Sequence, residues 1–116
     1  MKVELTRYRV KAGKTSKVEE WMEFLNDYME EVLVTLEGEK MYVETIFHEH
    51  LNGEEYLYWY SVQGNGGVDV EYSTHWIDKK HLEYWDECID ESFDSMELKT
   101  EVVMIPEKVR ASMNCY

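Results

Sequence analysis

Basic residues are scarce in this sequence of 116 residues: 12 Lys and Arg stand against 25 Asp and Glu, a formal net charge of −13. A protein that grips nucleic acid needs Lys and Arg to replace the counterions of the phosphates. Electrostatic attachment to an anionic membrane needs a basic cluster in the same way. We therefore expect neither a nucleic acid nor a membrane surface as a partner.

Cysteine and long apolar runs are also scarce. Cys88 and Cys115 lack the close spacing of a disulfide framework or a zinc knuckle, so reduced thiols are expected. No apolar stretch approaches the ~18 residues that span a bilayer, and the first residues lack the apolar core of a signal peptide. The glycine-rich stretch 64–67 lacks the Lys-Ser/Thr of a phosphate loop. These absences predict a cytoplasmic protein without a cofactor.

Aromatic residues, in contrast, are abundant: four Trp, nine Tyr and three Phe lie in a chain that is 44% hydrophobic. Disordered acidic chains lack such residues, and a chain of this length buries about two-thirds of its surface on folding. The sequence contains no repeat, no low-complexity tract and no linker. It therefore predicts one globular domain over residues 1–116.

Hydrophobic periodicity divides this domain into strands and helices. Alternation predicts strands, and apolar residues at four-three spacing, clearest from Val18 to Leu36, predict amphipathic helices. Gly38 is expected to end the first helix and Pro106 the last strand. The predicted strands cover about residues 2–10, 40–51, 54–63 and 97–105, the predicted helices about 16–37 and 74–92, and a short C-terminal tail 107–116.

The second and third strands flank Asn52-Gly53, which is the strongest short signal of a β-hairpin. A two-residue turn fixes the register and predicts that Phe47 faces Tyr58. Both faces of this hairpin then carry large apolar residues, whereas a sheet with one solvated face alternates between apolar and polar residues. Both faces of the sheet are therefore expected to be covered.

The order β-α-β-β-α-β with a tight central hairpin is that of the ferredoxin-like α+β fold, a four-stranded antiparallel sheet with two helices on one face. The second face of this sheet is bare in a single chain. Symmetric pairing is the commonest way to bury such a surface, so we expect a homodimer in which the chain is its own partner.

Several segments carry a resemblance to a known family: residues 3–7 (VELTR), 41–44 (MYVE), 56–59 (YLYW), 81–85 (HLEYW) and 102–110 (VVMIPEKVR). With the element order, they resemble an uncharacterised family of small bacterial proteins, a domain of unknown function, in the dimeric α/β-barrel superfamily. The resemblance covers nearly the whole chain and implies a dimer of two ferredoxin-like units whose sheets face each other. It implies no activity, although the superfamily includes cofactor-independent monooxygenases and isomerases.

The best grouping of polar residues in apolar surroundings is His48 with Tyr42, Trp59 and Ser61, which share one predicted sheet face. A histidine in a partly apolar cavity can shuttle a proton, and aromatic faces can hold a planar ligand. These four residues are the predicted ligand site, and His48 and His81 are the candidate catalytic residues. The alternative is that they are ordinary interface and core residues.

The spacing of the histidines predicts no metal site. His48 and His50 share a strand face, but His75 and His81 are six residues apart and lie on different sides of a predicted helix. The sequence also has no His-x-x-x-His or Cys-x-x-Cys pair.

Three functions stay open from the sequence alone. The first is a homodimer whose barrel cavity binds a small aromatic or apolar metabolite, and the second is a cofactor-independent monooxygenase- or isomerase-like enzyme. The third is an acidic protein-interaction module without a ligand site, because the outer face of the first helix is rich in Glu. An open cavity lined by Trp59 and His48 favours the first two, and a barrel filled by tyrosines favours the third.

Overall fold

The computed structural model describes residues 1–114 and shows one antiparallel sheet with its helices. The strands are β1 (Lys2–Arg9), β2 (Met41–Leu51), β3 (Glu54–Gln63) and β4 (Met96–Glu97), in the spatial order β2-β3-β1-β4. The helices are α1 (Thr15–Asp27), α2 (Met29–Glu39), α3 (Trp76–Cys88) and α4 (Glu107–Asn114), with a short 3₁₀ helix at Val70–Tyr72. This is the ferredoxin-like α+β arrangement, so the predicted fold class is confirmed.

The β2–β3 hairpin has the predicted register, with Phe47 opposite Tyr58. Asn52 and Gly53 take φ angles of 52° and 79°, the left-handed conformation that a two-residue hairpin turn requires. The turn chemistry and the alternation of side chains therefore agree, and together they decide which residues point to each face of the sheet.

The core lies between the sheet and the helices α1 and α3. Trp21 of α1, Leu57 of β3 and Cys88 of α3 are fully buried there. We call the sheet face that carries Leu57 and Trp59 the helix face, and the face that carries Phe47 the open face. Because burial of a large apolar side chain contributes about 1.5–3 kcal/mol, the layer on the helix face is the main hydrophobic contribution to stability.

The predicted helix over residues 16–37 is two helices, because the chain leaves the helical conformation at Tyr28 (φ −107°, ψ 32°). The Tyr28 ring packs against Phe24 and, edge-on, against Trp76, at centroid distances of 5.1 and 5.3 Å. α2 then continues through Gly38 and stops at Lys40, which takes the left-handed conformation (φ 56°) that glycine usually supplies. Periodicity alone detects neither the break nor this ending.

The predicted second helix over residues 74–92 is shorter at both ends. His75 precedes α3, and its Nδ1 accepts a hydrogen bond from the Ile77 amide at 3.2 Å. At the other end, Ile89 is extended and pairs with Val10, which draws the chain back to the sheet. The residues at both ends of the predicted helix therefore have other roles: His75 caps α3, and Ile89 contacts the sheet.

The predicted strand over residues 97–105 makes a ladder with β1 only at Met96 and Glu97. Beyond it, the Leu98 amide donates to the Leu5 carbonyl at 2.8 Å, and the chain then has no regular structure up to Pro106. Val102 is 69% exposed and Met104 is 85% exposed. Thr100 Oγ1 also donates to the Val3 carbonyl at 3.0 Å, so the segment 98–105 is joined to β1 by single hydrogen bonds and not by a ladder.

The predicted tail over residues 107–116 contains α4, and its last two residues, Cys115 and Tyr116, lie outside the described residues. Among residues 1–114, each helix is too short or too polar to cross a membrane.

Candidate functional site

An open cleft of about 1010 Å³ lies between the helix face of the sheet and the helices. Its floor comes from the strands β1, β2 and β3, and its walls come from α1, α2, α3 and the segment around Val70. Met22 and Leu25 of α1 and Trp85 of α3 pack on the core and also border the cleft, and α2 lines it from Met29 to Glu39. The cleft therefore lies beside the core, between the helices and the sheet.

Carboxyl groups are the main polar feature of this cleft. Burial, followed by repulsion from the carboxylates of Glu44 and Asp78, raises the pKa of Glu39 to about 7. Burial also raises the pKa of Glu44, although its Oε1 accepts a hydrogen bond from Trp59 Nε1 at 2.8 Å. A carboxyl group whose pKa is close to 7 exchanges a proton readily at neutral pH, which is the property of a general acid or base.

Asp78, in the first turn of α3, lines the same cleft and is only 6% exposed. Its Oδ2 atom is buried and has no hydrogen-bond partner among residues 1–114. A buried acceptor without a partner costs about 1–3 kcal/mol, so a fold keeps one only where something else compensates. Asp78 also lines the cleft, so a ligand that displaces the atoms covering Oδ2 could donate a hydrogen bond to it.

His81 lies one turn after Asp78 on the same helix and also lines the cleft. Trp21 Nε1 donates a hydrogen bond to His81 Nδ1 at 3.0 Å, and burial lowers the pKa of His81 to about 4. The ring is therefore neutral at physiological pH, and because Nδ1 accepts, its proton is on Nε2. His81 presents a hydrogen-bond donor rather than a positive charge.

Aromatic rings form the remaining wall of the cleft. Trp59 and Trp85 meet edge-on at 5.3 Å between centroids, and Tyr8 meets Trp85 in the same way at 4.6 Å. All three residues line the cleft and are partly exposed. Flat apolar surfaces thus face the carboxyl groups across the same space.

The structure brings four of the predicted site residues together and separates the fifth. His48, Trp59, Ser61 and His81 line the cleft, whereas Tyr42 is not among the lining residues. A bulge between Met41 and Val43 shifts the register around Tyr42, whose ring lies over Gly64. Alternation assumes a regular strand and therefore misplaces the residue inside a bulge.

Glu39, Glu44 and Asp78, whose carboxyl groups lie in the cleft lining, are candidate functional residues that sequence reasoning missed. Glu44 was detectable, because the hairpin register places it on the same face as Trp59 and Ser61. Asp78 carries a weaker signal, since it lies three residues before His81 on one helix. Glu39 carries none, because its burial comes from the tertiary structure and not from a pattern along the chain.

The glycine-rich stretch 64–67 packs against the main chain at the end of α2, beside Glu39. The Val68 amide donates to the Gly38 carbonyl at 3.0 Å, and Gln63 Nε2 donates to the Glu39 carbonyl at 2.9 Å. The main chain at Gly67 runs so close to the Glu39 carbonyl that the Cβ of any other residue would collide with it. The stretch is therefore fixed against α2 by hydrogen bonds and by close approach.

By its fold and its cleft, this chain is a ferredoxin-like α+β protein with a cleft between its helices and its sheet. The chain belongs to the family of unknown function DUF6176, whose model matches residues 1–111, and this confirms the resemblance to an uncharacterised family. No curated protein matches the chain significantly. The crystal structure of the L-rhamnose mutarotase from Formosa agariphila is similar, with 14% sequence identity and a TM-score of 0.53. The match covers 92% of this chain and all of that one, and it confirms the fold.

Proposed function

We propose that this protein is a homodimer whose clefts bind a small hydroxylated molecule and catalyse its acid–base isomerisation. The observation that carries the proposal is the pairing, in one cleft, of Glu39, whose pKa is about 7, with the unpartnered Oδ2 atom of Asp78. Asp78 contributes to the raised pKa of Glu39, so the two carboxyl groups lie within electrostatic reach of each other.

A small ring that carries hydroxyl groups, such as a monosaccharide, fits this lining best. Its hydroxyl groups would donate to the carboxylates, and its flatter apolar side would pack against Trp59 and Trp85. An aromatic or apolar metabolite, which the sequence favours, would use the aromatic wall and leave Asp78 without a partner. The similar L-rhamnose mutarotase is by its name an enzyme of a sugar, which supports the same ligand class.

The proposed chemistry is the interconversion of two anomers. Protonated Glu39 donates its proton to the ring oxygen while Asp78 accepts the proton of the anomeric hydroxyl, and the bond between anomeric carbon and ring oxygen breaks. This yields the open-chain carbonyl form. The ring then closes on the other face of the carbonyl group. This step reverses both proton transfers and returns Glu39 and Asp78 to their starting protonation states. His81 Nε2 donates a hydrogen bond that orients the ligand, and His48 also lines the cleft.

The homodimer is proposed on the exposed apolar surface of the single chain. Phe47 on the open face is 55% exposed, and Val102 and Met104 of the segment 98–105 are more exposed still. A soluble chain seldom presents such residues together unless a partner covers them. A second copy supplies both a sheet face for Phe47 and a neighbour for the unpaired segment.

Exchange NMR on reducing monosaccharides, L-rhamnose among them, tests the activity. The protein is expected to raise the rate of anomer exchange above that of buffer, and kcat is expected to fall as pH rises through about 7, because Glu39 acts in its protonated form. Glu39→Gln is expected to lower kcat by about 100-fold or more. Glu37→Gln is the matched control, because Glu37 is exposed on the same helix. Equal rates in buffer and protein across the panel would contradict the isomerase.

A further inference from the structure

We propose that His48, His50 and Glu55 form a binding site for one divalent transition-metal ion, with Zn²⁺ as the best match. One ligand atom from each of these side chains lies within 4.8 Å of the other two. Two imidazoles and one carboxylate are the ligand set of many zinc sites that keep a position open for water. The site goes beyond the proposed isomerase, since none of its three ligands belongs to the acid–base pair of Glu39 and Asp78.

The hairpin register builds this site. His48 and His50 are two residues apart on β2 and point to the same face, and Glu55 of β3 lies directly opposite His50. The turn at Asn52-Gly53 fixes that pairing. Ligand spacing along the chain predicts no metal site, because the third ligand comes from the neighbouring strand.

The carboxylate of Glu55 is already oriented. Glu55 is 8% exposed, its Oε1 accepts a hydrogen bond from Thr15 Oγ1 at 2.7 Å, and its Oε2 lies 2.6 Å from His48 Nε2. The Glu55 carbonyl also accepts from the Val10 amide at 2.8 Å, which fixes the main chain. Outer contacts of this kind orient metal ligands and raise affinity.

Metal binding requires a small rearrangement. Ligand atoms of a tetrahedral zinc ion lie about 3.3 Å apart at bond lengths of about 2.0–2.1 Å, so the contact between His48 and Glu55 must open by less than about 1 Å. The His48 nitrogen that binds the ion carries no proton, so the neutral imidazole binds with its proton on the other ring nitrogen. His48 and His50 are both exposed, so their rings are free to adjust while Glu55 stays in place, and water completes the coordination.

The site adjoins the cleft without being part of its acid–base group. His48 is one of the residues that line the cleft, so a bound ion would border the same space. The metal site is nevertheless testable without any substrate.

Titration of the untagged protein with Co²⁺, followed by visible absorption, and with Zn²⁺, followed by calorimetry, tests the proposal. We expect one ion per chain and the intense visible bands of tetrahedral Co²⁺ that Zn²⁺ abolishes. His50→Ala and Glu55→Gln are each expected to weaken Zn²⁺ binding by at least 10-fold. Far-UV circular dichroism tests whether the variants are folded. If His50→Ala is not folded, His50→Gln replaces it in the titrations.

Two control variants make the same kinds of change, loss of a carboxylate and loss of an imidazole, outside the proposed metal site. Glu54→Gln makes the same carboxyl-to-amide change one residue away, at an exposed position. His75→Asn removes a histidine at the start of α3 and keeps an acceptor for the Ile77 amide. Both are expected to bind Zn²⁺ like the parent protein. The proposal is overturned if the parent binds no ion, if folded variants at positions 50 and 55 bind normally, or if the controls lose affinity equally.

Discussion

The two faces of the sheet both carry aromatic residues but use them differently. On the helix face, Trp59 packs among rings of α1 and α3 and donates a hydrogen bond to Glu44 in the cleft. On the open face, Tyr58 donates to Glu49 at 2.6 Å, and the Arg7 guanidinium lies 5.1 Å from the Tyr56 ring. The difference shows that one alternating pattern can build a core with a cleft on one side and a partly exposed layer of polar and aromatic contacts on the other.

The largest effect on stability is expected from removing a buried side chain that packs on the helix face. Trp21→Ala removes a fully buried ring and the donor to His81, and we expect it to lower the free energy of unfolding by about 3–5 kcal/mol. Phe47→Ala on the open face is the matched control and is expected to cost less than about 1 kcal/mol under conditions that keep the chain monomeric, because this ring is exposed. Urea unfolding measures both. Equal losses would contradict the distinction between the faces.

The neutral His81 ring provides the next largest effect. Because its folded pKa of about 4 is below the ordinary 6.5, the stability it contributes is complete above pH 6.5 and is lost as pH falls toward 4. The loss amounts to about 2–3 kcal/mol. His81→Gln keeps an acceptor for Trp21 and removes the titrating group. The free energy of unfolding of this variant is therefore expected to change less with pH between pH 4 and 7 than that of the parent. A variant with the unchanged pH slope would rule out the burial of a neutral ring.

Charge placed on the proposed interface is expected to have a smaller effect. Met104→Asp puts a carboxylate on the exposed segment 98–105, where Met104 makes little contact within its own chain. We expect the dimer to weaken by about 30-fold, or about 2 kcal/mol, with the fold intact. Light scattering against concentration measures it, and Glu101→Asp is the control, since a carboxylate is already present there. A parent protein that stays monomeric would contradict the proposed dimer.

The smallest effect is expected from Glu39. Because its folded pKa of about 7 is above the ordinary 4.5, the protonated group favours folding at low pH, and this stability is lost as pH rises from 4.5 to 7. Glu39→Gln is therefore expected to be more stable than the parent at pH 8, by about 1 kcal/mol after allowance for solvent screening. Thermal unfolding across this pH range measures the difference, and Glu37→Gln is expected to show none. A parent and Glu39→Gln variant with identical pH profiles would refute the shift.

The parts of the molecule that were predictable from sequence depend on neighbours along the chain. The turn at Asn52-Gly53 and the alternation around it determine the hairpin register, and the element order determines the fold class. The helix break at Tyr28 was not predictable, because it depends on a ring contact with Trp76, 48 positions further along the chain.

The candidate site was predictable in its histidine, serine and tryptophan residues but not in its carboxyl groups. Trp59 and Ser61 follow from strand alternation, whereas Asp78 acquires its importance from burial, which tertiary contacts decide. Because the sequence is rich in Glu, any single Glu is most simply interpreted as part of a solvated surface. The few acidic residues that line the cleft therefore cannot be told apart in the sequence from those on the surface. His50 and Glu55 illustrate the same limit, since only strand pairing unites them.

The close approach of Gly67 to the Glu39 carbonyl has a consequence for which substitutions this part of the chain tolerates. The Cβ of even an alanine at position 67 would collide with the main chain of Glu39, so the loop and the end of α2 would have to move apart. The side chain of Glu39 lines the cleft while its main chain meets the loop. A contact between two main-chain segments thus ties the position of a candidate proton donor to a glycine that is not itself in the cleft.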